Sequence, residues 1–257
     1  MKLKEIIGAI LMVILSIGGI LVSIGYALNK VISSNGIMTA MQQTDYLLKT
    51  EAEVKNTLKH YMNEEKIETL LNEINVKSDI KQMTESFNNN TIEQVGNNIK
   101  QEMKQQVIYI IDEDVTGEAK ESYATLVSEA YIKCIFPVTE FETLSNIYTK
   151  YNSKLLLMII ILTLLITVIY IYCATGKKTY KWAIIGLYNI IILNVVLVIG
   201  LSVLDKIVVG NIKTTAVIIT MVSNIKKNIC IATIIVLAIA IFSNYIAYFR
   251  KRKHTKK

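Results

Sequence analysis

Four stretches of the chain run for 20 residues or more without a single Asp, Glu, Lys or Arg: Ile6–Leu28, Leu155–Ala174, Trp182–Leu204 and Ile229–Phe249. About 20 apolar residues in a helix cross the hydrocarbon core of a bilayer, and an ionised group at its centre costs several kcal/mol. The pattern therefore predicts four transmembrane helices. The first is too long for the core of a secretory signal, and Gly25-Tyr26-Ala27 is a poor cleavage site, so it is expected to stay as an anchor.

The segment between the first two spans, 29–154, has a different rhythm. Ile92, Val95, Ile99, Met103, Val107 and Ile110 recur at steps of three and four and so share one helix face. Thr91 and Gln94 have capping-box spacing ahead of that run. Ile67, Leu70, Leu71 and Ile74 form a second stripe, and Ile80, Met83 and Phe87 a third, with a break at Asn88-Asn89-Asn90. Ile37, Met41, Leu48, Val54, Leu58 and Tyr61 predict a longer, interrupted first helix. Ala119, Tyr123, Leu126, Ala130 and Cys134 continue the pattern after Gly117. Pro137 ends it, and Thr139 with Glu142 opens a last helix leading into the second span. The expectation is an all-α chain: four transmembrane helices, with a helical bundle inserted between the first and second.

Charge turns the count of spans into an orientation. Lys2 and Lys4 precede the first span, Lys177, Lys178 and Lys181 lie in or beside the turn 175–181, and Arg250, Lys251, Arg252, Lys253, Lys256 and Lys257 fill the tail 250–257. Four crossings place all three clusters on one side, which the positive-inside rule makes the cytoplasm. The domains expected are thus 1–28 (cytoplasmic end and first span), 29–154 (extracytoplasmic bundle) and 155–257 (three further spans). Segment 29–154 carries 13 Lys against 19 Asp and Glu, a net charge of −6, although the whole chain is at +7. The basicity fits topology and anionic lipid better than nucleic acid. The second outer segment, 205–228, contains the short run Ala216–Val222, expected to lie in the interface or cover the larger domain.

Candidate chemistry is sparse. Asp112, Asp114, Thr116 and Gly117 match the opening of a calcium loop, with Glu118 beside them, but Tyr123 stands where the bidentate acid belongs. An acidic turn between helices is the plainer reading, and calcium the only cofactor suggested. Asn189, Asn194 and Asn244 fall inside spans, where amides hydrogen-bond between helices or line a polar path. Ser16, Gly19, Ser23 and Ala27 line one face of the first span, suited to close helix packing within the chain or in an oligomer. Three cysteines without short spacing argue against a zinc site, and a bond between Cys134 and Cys230 stays open. No catalytic triad, phosphate loop or dinucleotide fingerprint occurs, so the chain is not expected to be an enzyme.

The order of features resembles a broad group of uncharacterised four-span membrane proteins of low-GC Gram-positive bacteria with a helical extracytoplasmic domain. The stretches that carry the resemblance are Leu28–Ile32, Ile74–Met83 (INVKSDIKQM) and Tyr148–Lys154. It implies a topology and no particular activity. In topology alone the chain is also similar to the permease-like partners of ABC ATPases of the cell-division FtsX type, though its turn before the third span is short. The expected function is an interaction, sensory or scaffold module in the cell membrane, its outer bundle meeting a protein or envelope partner. A subunit of a transporter, channel or ABC-type mechanotransmission complex is one alternative, and an envelope enzyme, which would need acidic or histidine groups clustered on the outer bundle, is the remoter one.

Overall fold

A computed structural model describes residues 3–111, 117–136, 141–142, 145–146, 148–149, 161, 179–203 and 212–254. The elements among them are helical: α1 (Leu3–Val31), α2 (Ser34–Gln43), α3 (Tyr46–Leu58), α4 (Glu64–Glu73), α5 (Val76–Ser86), a 3-10 turn (Phe87–Asn89), α6 (Ile92–Ile110), α7 (Gly117–Ile135), α8 (Thr179–Leu201) and α9 (Ile212–His254). No strand occurs among the described residues. The chain divides into two units, residues 30–150 with 208–221 and the remainder.

Three described helices are long and apolar enough to cross a membrane, over Glu5–Val31, Lys181–Leu201 and Ile212–Ile246. That is one fewer than expected, because the second stretch, 155–174, lies outside the described residues apart from the helical Ile161. The last span also differs from expectation. Instead of an outer segment 205–228 followed by a separate helix, α9 is a single helix of 43 residues, about 65 Å at 1.5 Å per residue. No proline or glycine interrupts Ile212–His254, so nothing in the backbone chemistry stops the helix.

In the apolar unit, α1 meets α8 through small residues. A β-carbon on Gly19 would stand 2.3 Å from Ile190 Cδ1, and one on Gly8 would stand 2.7 Å from Trp182 Nε1. Ser16 Oγ donates to Met12 O at 2.9 Å and reaches Gly186 O at 3.4 Å. Residues 8, 16, 19 and 23 of α1 thus face 182, 186, 190 and 194 of α8 in the same order, so the two helices run parallel. Ser16, Gly19 and Ser23 of the small-residue face read from the sequence make this contact.

The amphipathic unit has its own core. Ile37, Met41, Tyr46, Leu58, Ile67, Leu70, Ile80, Met83, Phe87, Tyr131, Phe136 and Phe141 are fully buried, and each large apolar side chain removed from water contributes about 1.5–3 kcal/mol. Rings of Phe136 and Phe141 pack 4.6 Å apart between centroids. Helices α6 and α7 lie antiparallel, tied by Lys100–Glu129 at 2.7 Å and Lys104–Glu121 at 3.4 Å. Asn63 and Asn75 cap α4 and α5, their side chains accepting from Lys66 N and Ser78 N. The break at 88–90 is as read, with Asn90 left-handed at φ 56°.

Several finer expectations give way. Thr91 makes no capping box; its hydroxyl turns back to Ser86 O at 3.4 Å. The interrupted first helix divides at Thr44-Asp45, where Asp45 is left-handed, and Leu48 and Tyr61 lie exposed. In α7 the buried face is Ala124, Val127, Tyr131 and Cys134, while Leu126 is 57% exposed. Tyr131 decides that rotation, since its large ring takes the core position. Pro137 and Thr139 lie outside the described residues.

The start of α2 is a close backbone approach. Ser33 Oγ accepts from Gly36 N, and Asn88 holds Ser34 by two hydrogen bonds of 3.0 Å. A β-carbon on Gly36 would lie 2.2 Å from Val31 O and 2.6 Å from Lys30 O, which are backbone atoms that cannot swing aside. Gly36→Ala is therefore expected to destabilise the bundle by about 1–3 kcal/mol. Thermal unfolding in detergent, followed by circular dichroism, checks it; an unchanged midpoint would show that the turn relaxes freely.

Candidate functional site

Among the described residues the bundle withdraws one cation from water. Lys213, in the first turn of α9, keeps only 9% of its side chain exposed. Its ammonium donates to Glu53 Oε2 at 2.5 Å, Thr50 Oγ1 at 3.1 Å and Cys134 O at 2.9 Å, which uses all three protons. It also stands 5.0 Å from the centroid of the Tyr46 ring, within cation–π range. Tyr46 is held in turn by its hydroxyl, which donates to Ile135 O. Two helices thus build the socket, Tyr46, Thr50 and Glu53 coming from α3 and Cys134 from α7. Of these residues only Cys134 stands out in the sequence pattern, as part of the stripe after Gly117. A signal was present: Lys213, Val217 and Met221 follow at steps of four, all three buried.

A second polar contact lies between α5 and α7. Tyr131 Oη donates to Asp79 Oδ2 at 2.5 Å. Burial raises the Asp79 carboxyl above its ordinary value, with Glu102 adding to the shift and the tyrosine hydrogen bond opposing it. Burial and the Asp79 carboxylate together raise the Tyr131 phenol. Cys134 is also raised by burial, against a hydrogen-bonding contact of 3.3 Å with Thr57.

A cleft of about 450 Å³ opens elsewhere on the bundle, its walls including Tyr61, Lys66, Val107, Ile110 and Tyr123. Tyr123 Oη donates to Tyr61 O across it. The volume lies within the range of small-ligand sites.

The intramembrane asparagines go to three places. Asn194 is fully buried and its Nδ2 donates to Ser23 Oγ at 3.2 Å, while its Oδ1 has no hydrogen-bond partner among the described residues. Asn189 Nδ2 contacts Met12 Sδ at 3.5 Å, and Asn244 Nδ2 donates to Tyr188 Oη at 2.9 Å. Asn189 and Asn194 both face α1; Asn244 joins α9 to α8. Of the calcium candidate, Asp112, Asp114 and Thr116 lie outside the described residues and Glu118 is exposed. Among the described residues no three His, Cys, Asp or Glu groups converge on a metal position. Cys134 and Cys230 are both free thiols.

Compared with known families, curated proteins and solved structures, the chain matches none. The resemblances drawn from its residues therefore rest on the order of features alone.

The raised Asp79 carboxyl has a definite sign. A carboxyl that holds its proton more tightly when folded stabilises the fold below its unfolded value, and that contribution is lost as pH rises through the folded value. Asp79→Asn keeps the acceptor for Tyr131 and removes the charge. The variant is expected to gain in melting temperature over the parent as pH is raised from 4 to 7. A gap independent of pH, or one that closes, would contradict the assignment.

Proposed function

We propose that the chain is a four-span cell-membrane protein with both termini cytoplasmic, and that the bundle of residues 30–150 works outside as an interaction, sensory or scaffold module. The observation that carries the topology is the parallel register of α1 and α8. Two spans that run the same way require the chain between them to recross the bilayer, and the apolar stretch 155–174 is the segment able to do so. The three basic clusters then share the cytoplasmic side, as the positive-inside rule asks. A bundle with its own aromatic core, an acidic balance and a cleft faced by two tyrosines is suited to binding rather than to bond chemistry.

A cysteine placed at Asn89 is expected to react with membrane-impermeant maleimide in intact cells, and one placed after Arg250 only after permeabilisation. The opposite pattern would invert the topology. Crosslinking of the tagged chain in its native membrane should then capture a partner through residues of 30–150.

A second reading, a subunit that passes an ion or solute, is favoured by the Asn194 Oδ1 beside Ser23 in the parallel seam, buried and without a hydrogen-bond partner among the described residues. Under it Asn194→Leu abolishes flux in reconstituted vesicles. Intact flux with intact folding would remove that reading.

A further inference from the structure

We infer that the pocket formed by Tyr46, Thr50, Glu53 and the Cys134 carbonyl is a recognition site for a primary ammonium carried on an amphipathic helix, filled in this structure by the chain's own Lys213. The inference rests on the bundle being an interaction module and names what such a module binds.

Three features make this a socket and not an incidental ion pair. The acceptors match the ammonium in number and kind: one carboxylate, one hydroxyl and one carbonyl, with an aromatic face at 5.0 Å. Such a set serves a group with three protons and a positive charge. All of it comes from residues 46–134, so it is supplied independently of the helix that brings the lysine. The occupant is read beyond its charge, since Thr214, Val217 and Met221 of the same segment are buried too. Lysine with apolar residues four and eight positions later is the pattern of an amphipathic helix laid in a groove.

Access is built in on one side. The Glu53 side chain is 41% exposed although the lysine it holds is almost wholly covered. An incoming ammonium can meet the carboxylate before Lys213 leaves, so exchange need not pass through a bare buried charge. A partner helix carrying the same lysine pattern would compete with residues 212–221 for the groove, and the released segment is the module's change of state.

The test uses the full-length protein in detergent. Lys213→Ala removes the ammonium and leaves a channel that n-propylammonium fills; the amine is expected to raise the melting temperature of this variant, and tetramethylammonium or propanol is not. A photocrosslinkable peptide copying residues 212–221 is expected to label α3 of the same variant. Labelling should weaken at least about tenfold when the peptide carries Met for Lys, or when Glu53→Gln is added. Rescue by the amine without peptide labelling would overturn the helix-borne ligand, and no rescue with no labelling would overturn the socket. Should Lys213→Ala fail to fold, hydrogen exchange of residues 212–221 in the unaltered protein decides the matter. Excess peptide is expected to speed it, and no change would overturn the exchange. The cysteine labelling and partner capture described above do not involve Lys213, so a captured partner with a failed socket would sink this inference alone.

Discussion

A lysine ammonium taken out of water keeps its charge only where the protein replaces every lost water contact. Lys213 meets that demand with a carboxylate, a hydroxyl, a carbonyl and an aromatic face. The cost of leaving any of them unmet makes the contact specific, and it draws α3, α7 and the first turns of α9 together. Neighbouring elements follow from it. Tyr46 must lie flat beside the ammonium, which sends its hydroxyl to Ile135 O and seats α3 against α7. The surface pairs Lys59–Glu64 and Lys81–Glu85, both largely exposed, have no comparable hold, since exposed pairs contribute about 0–1 kcal/mol.

A different constraint governs the apolar unit. Lipid tails are as apolar as leucine, so helices gain little from hiding side chains in one another and associate through close packing and interhelical hydrogen bonds. Gly8, Ser16, Gly19 and Ser23 on α1, with Gly186 on α8, let the two backbones approach, and Asn194 closes the seam through Ser23. The many exposed Ile, Val and Leu side chains of α1, α8 and α9 would be a liability in water; on a lipid-facing surface they are the expected composition.

Local patterns were legible where local physics decides them. The apolar stretches of α1 and α8, the stripes of α4, α5 and α6, and the break at Asn88–Asn90 all depend on residues within a turn or two of one another. Legibility failed where two arrangements were locally equal. Leu126 and Val127 are both apolar, and only the place taken by Tyr131 turns α7 so that Val127 is buried. Thr91 could cap α6, yet its hydroxyl finds Ser86 O. Nothing near Lys213 in the chain marks it out, because its acceptors lie about 80 and 160 positions away.

By itself the sequence determined the helical class, the apolar stretches and the small-residue face of α1, because composition and spacing act along one helix. Tertiary structure alone decided the parallel register of α1 with α8 and the socket around Lys213. Each of these depends on which distant groups meet, and a buried ammonium or a close glycine contact has no energy until its partner is in place.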